Sequence, residues 1–214
     1  MSDIGGILSI SSQALLTQQK AMNVTSHNIA NVNTPGYSRQ RLRMSTNTPA
    51  SMSMGMVGSG VSADSVERIY DRFLSDQINI ENQELGRWDA QKGAVEVVET
   101  IFNESDGYGL NHVMSRFWEA WQSLTNNPTG QTERQILITD SQALARTFNQ
   151  LVADLSQAQK DLDTIIEGTV ADINRLSEQL VDLNQKIISA EADTSVANDY
   201  RDSREQVLKE LSEL

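Results

Sequence analysis

Few residues in this 214-residue chain have the types and spacings that bond-making chemistry needs. The two histidines, His27 and His112, lie far apart and lack metal-ligand spacing. Cysteine is absent, which excludes a disulfide framework, a Cys metal site and a thiol nucleophile. The chain holds no Gly-rich phosphate loop, no Gly-x-Ser-x-Gly elbow and no His-Glu-x-x-His. Paired carboxylates such as Asp161 and Asp163 fall on what should be a solvated helical face, and 29 acidic residues place such pairs by chance. Met52, Met54 and Met56 could offer thioethers to copper, but adaptable packing is the more ordinary use of methionine. The segment Asn103-Glu104-Ser105-Asp106-Gly107-Tyr108-Gly109 is acidic and Gly-rich, yet it lacks the ligand spacing and terminal Glu of a calcium loop. The residues therefore predict no catalytic site, no metal and no cofactor.

The most specific chemistry is that of backbone turning, in Ser26-His27-Asn28-Ile29-Ala30-Asn31-Val32-Asn33-Thr34-Pro35-Gly36-Tyr37-Ser38-Arg39-Gln40. Asn28, Asn31 and Asn33 compete with the backbone for hydrogen bonds and so favour caps and turns. Pro35 turns Thr34 away from the α region, and Pro35-Gly36 is a turn dipeptide. Arg39-Gln40-Arg41-Leu42-Arg43-Met44 then alternates polar and apolar, which predicts a short half-buried strand. His27 is expected to act as a hydrogen-bonding cap.

The elements around this turn are helical. Over residues 4–30, Leu8, Leu15, Met22 and Ile29 are spaced by seven, and Ile7, Ala14 and Ala21 repeat beside them. That is a thin coiled-coil seam that needs a partner helix, because an isolated helix is marginal in water. Residues 1 to about 30 are therefore expected to be mobile alone or held by another molecule. Residues 45–66, low in charge and rich in Ser, Met, Thr and Gly, read as a loop or short hairpin. Residues 64–103 read as a helix, with Val66, Ile69, Phe73, Ile78, Leu85 and Trp88 among its apolar positions. Residues 110–126 read as a short amphipathic helix whose Phe117, Trp118 and Trp121 anchor the core. Thr132 and Gln135 offer a capping box for the longest helix, about 133 to 191, which would run on the order of 85 Å. Its Leu151, Leu155, Leu162, Ile173, Leu180 and Leu183 belong to a series stepping at the α-helical period. Asp193 to Asn198 turns the chain, and Asp199 to Leu214 returns as a helix.

The fold class is thus mainly α, an elongated helical bundle or coiled coil with long antiparallel helices and a small β or loop segment after the first helix. Two regions are expected: residues 1–40 as an arm and residues 41–214 as a helical body. The chain is 38% hydrophobic and 5% aromatic, lean for a compact globule, and its three prolines interrupt helices little. Net charge is −12. Residues 1–60 carry +3, with Lys20, Arg39, Arg41 and Arg43 against Asp3, which leaves −15 for the rest. So acidic a body argues against nucleic acid as a partner. No stretch approaches the roughly 20 apolar residues that cross a bilayer. The chain opens Met1-Ser2-Asp3-Ile4, with no basic region ahead of an apolar run, and taken alone that points to the cytoplasm.

The turn segment closely resembles the N-terminal signature of bacterial flagellar axial proteins. Its ending Gly36-Tyr37-Ser38-Arg39-Gln40 resembles the flagellar hook-associated protein 1 family. The resemblance rests on Asn28, Ala30, Asn31, Thr34, Pro35, Gly36, Tyr37, Arg39 and Gln40. It extends through Val66-Glu67-Arg68-Ile69-Tyr70-Asp71-Arg72-Phe73-Leu74, Phe117-Trp118-Glu119-Ala120-Trp121 and Ala197-Asn198-Asp199. The stretch Asp199-Tyr200-Arg201-Asp202-Ser203-Arg204-Glu205 departs in part from the family's Leu-Leu-Asp-Gln-Arg-Asp pattern. Family members are considerably longer, so this chain is expected to be a piece of their N-terminal part.

The resemblance implies a non-enzymatic structural subunit at the hook–filament junction of the bacterial flagellum, extracellular and exported without a cleaved signal peptide. It implies as partners other copies of the chain in a helical or ring assembly, the hook protein, the next hook-associated junction protein and an export chaperone. Ile7, Leu8, Ala14, Leu15, Ala21, Met22 and Ile29 would form the assembly seam. A rod or hook axial protein shares the core of the motif, but the long helix argues against it. An acidic cytoplasmic coiled-coil adaptor would leave the motif and the unpaired seam unexplained.

Overall fold

A computed structural model describes residues 4–52, 55–102, 109–192 and 196–214. The chain is mainly α, with long helices and a small β segment after the first of them. Helix α1 spans Ile4–Ala30. Four strands follow, β1 (Gln40–Thr46), β2 (Ala50–Met52), β3 (Gly55–Val57) and β4 (Val61–Arg68). Helices α2 (Arg72–Phe102), α3 (Leu110–Asn126), α4 (Gln131–Glu191) and α5 (Asn198–Ser212) complete the order. The strands form two nested antiparallel pairs. β1 pairs with β4 from Gln40 opposite Arg68 to Thr46 opposite Val61, with an irregularity between Arg43 and Met44. β2 pairs with β3 inside them.

The helix expected over 64–103 begins only at Arg72, since Val61–Arg68 is strand β4. Its apolar residues fit either period, and pairing with β1 decides between them. The ladder ends where the Ile69 N–H donates to Arg39 O at 2.8 Å. Asp71 then caps α2, its Oδ1 accepting the Leu74 N–H at 3.1 Å. Thr132 lies inside α4, which starts at Gln131, so it cannot be the expected cap. The first turn is tied instead by Asn127 Nδ2 donating to Glu133 Oε1 at 3.1 Å and Arg134 Nη2 donating to Pro128 O at 2.8 Å.

The chain forms two compact units: residues 1–83 with 173–214, and residues 84–172. Helices α2 and α4 are each divided between them. In the first unit, α1 packs on the β1–β4 pair, α5 reaches β4 through hydrogen bonds to Val66 and Arg68, and Thr17, Leu176 and Ile187 are buried. Helix α1 approaches β4 closely beside Gly60. That residue has φ +99°, and a Cβ there would meet Ile10 Cγ2 at 3.3 Å.

In the second unit the buried apolar residues are small, Ala120 and Ala158. The aromatic core expected there is not what the structure has. Trp118 is 61% and Trp121 45% exposed, and only Phe117, edge-on to both rings, is half-buried. The α3 face that meets its neighbours is therefore set by Ala120 and by Arg116, whose Nη2 reaches the buried Asp140 Oδ1 at 2.5 Å. Along α4, Leu151, Leu155, Leu162, Leu180 and Leu183 are half-buried and Ile173 is exposed. Met54, residues 103–108 and residues 193–195 lie outside the described residues, so the methionine cluster, the acidic Gly-rich segment and the turn at Asp193 are met only in part. Among the described residues no helix is long and apolar enough to cross a membrane.

Candidate assembly interface

Helix α1 has two faces with opposite fates. Ile10, Thr17 and Val24, spaced by seven, turn toward the strands together with Ala14, Ala21 and Asn28. Thr17 Oγ1 donates to Val61 O at 3.4 Å, and Asn47 Nδ2 reaches Gln13 Oε1 at 2.8 Å. On the opposite side Leu8, Leu15, Met22 and Ile29 form a column in which each residue is 63–72% exposed, with Ile7 beside it. The predicted seam is thus divided. Its alanines, Ala14 and Ala21, serve the contact within the chain, and its large apolar residues face outward. The inward column was missed because Thr17 interrupts it as an apolar series.

The turn after α1 is built by its asparagines. Asn28 acts as a substitute strand neighbour: its Nδ2 donates to Gln40 O and its Oδ1 accepts the Gln40 N–H, both at 2.8 Å. Those bonds occupy the edge of β1, where unpaired backbone groups would otherwise be presented. Asn28 Oδ1 also accepts the Tyr37 hydroxyl at 2.8 Å, and His27 Nδ1 lies 3.0 Å from that hydroxyl. Burial, then the nearby Asp199 and Asp202, push the Tyr37 phenol above its ordinary pKa. Asn31 Nδ2 closes the helix end on His27 O at 3.0 Å, and its Oδ1 accepts the Thr34 hydroxyl at 3.2 Å. Thr34-Pro35-Gly36-Tyr37 is a β-turn closed by the Tyr37 N–H on Thr34 O at 3.2 Å, with Gly36 at φ +77° where a type II turn needs it. Ala30 and Pro35 are exposed, as is Arg39, whose backbone holds Ile69.

Helix α5 grips this turn. Ser38 N–H donates to Asp202 Oδ2 at 2.9 Å, and Gln40 Nε2 donates to Asp199 Oδ1 at 2.9 Å. Arg68 at the end of β4 reaches Asp202 Oδ1 at 3.0 Å and Glu205 Oε1 at 3.3 Å, and it lies 4.1 Å over the Tyr70 ring. Tyr70 donates to Glu205 Oε2 at 2.9 Å, and Asn198 Nδ2 donates to Val66 O at 2.8 Å. Burial alone would raise the Glu205 carboxyl. Hydrogen bonds from Arg204, Tyr70 and Arg68 overcome it and hold the group below the usual carboxylate range. At the start of α5, Arg201 Nε and Nη2 clasp both oxygens of Glu191 at 2.7 Å. With the Ala197 N–H this lowers the Glu191 pKa to about 2.

None of these α5 contacts is visible from periodicity. The one available signal is charge, the carboxylates Asp199, Asp202 and Glu205 in a chain whose first 60 residues are basic. Beside the end of α1, Val24, Ile29, Val32, Leu42, Met44 and Ile69 line an open groove of ≈ 690 Å³, along with Arg39 and Arg41. The groove shares Ile29 with the exposed column and continues it. Nothing in this arrangement resembles a catalytic constellation. It is an apolar surface on a helix that leads into a turn held by polar bonds.

Comparison with known proteins fits that description. Residues 95–214 match the model of the flagellar hook-associated protein FlgK helical domain, and residues 8–37 match that of the flagella basal body rod protein. Flagellar hook-associated protein 1 of Bacillus subtilis is 35% identical over 209 residues, covering 94% of this chain and 41% of that protein. The proteins of the same name from Salmonella typhimurium and Escherichia coli K12 are 28% and 27% identical, over 92% of this chain and 36% of theirs. The chain therefore spans about two-fifths of the length of these relatives. With more than half of its residues matched by the helical-domain model, the chain belongs to the flagellar hook-associated protein FlgK family.

Proposed function

We propose that this chain is the N-terminal part of a structural subunit of the bacterial flagellum, one that joins hook to filament and seats the filament proteins. The observation that carries it is the apolar column of α1, left exposed among the described residues of a chain of this family. Burying each of Leu8, Leu15, Met22 and Ile29 would contribute about 1.5–3 kcal/mol, a gain the chain does not collect by itself. Exposed patches of that kind mark interaction surfaces. Residues 1–40 serve as the arm that carries the column, and residues 41–214 as the helical body. The occupants of the column and groove are helices of the full-length protein and of neighbouring copies, with hook protein below and the next junction protein above. The subunit acts outside the cell after export through the flagellum, aided by an export chaperone, and it catalyses nothing. The rod-protein match covers only residues 8–37, the arm and its turn, and the rest of the chain supports the junction role over a rod role.

The test is electron microscopy of cells lacking the gene, with an assay for flagellin in the medium. Hooks without filaments and shed flagellin are expected. Missing hooks would move the subunit down to rod or hook, and normal filaments would end the flagellar assignment.

A further inference from the structure

The arm and the helical region are matched separately, by residues 8–37 and 95–214, and Ser38 and Gln40, just past the first match, hydrogen-bond to α5 within the second. The central atom pair of that contact belongs to Asp202. Its side chain is 7% exposed, and each carboxylate oxygen has its own donor, the Ser38 N–H at 2.9 Å and Arg68 Nη1 at 3.0 Å. Ser38 is the first residue after the Thr34–Tyr37 turn, and Arg68 is the last residue of β4. One carboxylate therefore ties the exit of the turn, the end of the sheet and α5 at a single point. Two neighbours restrict the same turn. Gln206, one helical turn on, fills the space where a Cβ of Gly36 would sit, its Oε1 2.6 Å from that position. Asp199, one turn back, holds the Gln40 side chain.

We propose that Asp202 is a positioning residue for assembly. By holding Ser38 and Arg68 together it fixes the direction in which α1 leaves the turn, and hence where the apolar column is presented to neighbouring molecules. An alternative purely local role, keeping α5 folded, would not require a bond to the arm. The carboxylate has little else to do: it lies within α5, where the backbone bonds close without it.

The assembly part of this proposal rests on the junction role above, while its structural part can be tested on the chain alone. Asp202→Asn keeps the size of the side chain and removes its charge and one acceptor. Amide hydrogen exchange should then speed about tenfold or more at Ser38, the scale set by losing a bond to a charged acceptor, with α5 amides unchanged. Trypsin should cut faster after Arg39 with no new cutting after Arg201 or Arg204. Arg68→Lys, which preserves the charge, should restrain Ser38 better than Arg68→Met. In cells, Asp202→Asn in the full-length protein should leave many hooks bare. Unchanged exchange at Ser38 would overturn the grip. Exchange that rises equally throughout α5 would show that Asp202 merely supports the helix. A loosened turn with normal filament number would overturn the assembly role, and it is distinguishable from failure of the junction role because the deletion strain reads that separately.

Discussion

Helix α1 leaves Leu8, Leu15, Met22 and Ile29 largely exposed, whereas the turn that follows it ties Asn28, Tyr37, Ser38 and Gln40 into hydrogen bonds of 2.8–2.9 Å. The two segments are adjacent in sequence and opposite in completion. The physical reason lies in what each kind of group loses by waiting. An apolar side chain left in water forgoes a gain proportional to its area and recovers it whenever a partner arrives. A polar group caught without a partner in a partly dry site costs about 1–3 kcal/mol at once. A subunit that must be finished by its neighbours can therefore defer apolar contacts but has to settle its directional ones. In the proposed assembly the settled bonds would set geometry and the deferred surface would supply association.

The sharpest break in that contrast is Leu15→Asp. A charge in the middle of the exposed column should abolish filament seating in cells, since an unpaired carboxylate would have to be buried on assembly. The isolated chain should hardly notice it, because Leu15 is 72% exposed there. Circular dichroism melts of the two chains should coincide, and a melt lowered by several degrees would show that the column has a role within the subunit.

Asn28→Ala tests the other side. It deletes two bonds to Gln40 and one to Tyr37, and leaves the edge of β1 open. A loss of about 1–3 kcal/mol is expected, read by urea unfolding of the isolated chain. An effect on assembly without any change in stability would mean that Asn28 faces a partner after all. Asn28 also shows how far sequence carried. Three asparagines, a proline and a glycine in fifteen residues announced a helix stop and a turn, and the structure has both. The seven-residue spacing announced a column, and Leu8 to Ile29 form one. The partners of that turn were not legible, because Asp199 and Asp202 lie about 160 residues away and only tertiary folding brings α5 to it. The end of strand β4, Asp64 to Arg68, was misread as helix for a related reason: Val61–Arg68 takes its conformation from β1 across the hairpin. Trp118 and Trp121 misled in the opposite sense. Large aromatic residues usually bury, yet in this chain Ala120 occupies the buried position of α3 and the indoles beside it stay exposed.

The smallest expected effect concerns the far end of the grip, the clasp of Arg201 on Glu191. The folded-state pKa of Glu191 is lowered from 4.5 to about 2, by the Arg201 hydrogen bonds first and the Ala197 N–H second. A depressed carboxylate contributes stability that is fully present above its unfolded pKa and is lost as pH falls toward the folded value. The window is therefore between about pH 4.5 and pH 2. At neutral pH the clasp should be indifferent to small changes in acidity. Because Glu191 and Arg201 are each about a quarter or more exposed, the loss is local, a loosening of the start of α5 that leaves the rest of the chain folded. The Arg201 Nε–H resonance should titrate with a midpoint near 2, and Glu191→Gln should remove that titration. A midpoint near 4.5 would mean that the clasp is open in solution. Were the Ser38 amide to loosen over the same pH range, the clasp and the Asp202 contact would be one cooperative unit. If Ser38 stays protected, the arm is held by Asp202 and its neighbours alone, and the polar half of the comparison narrows to the turn itself.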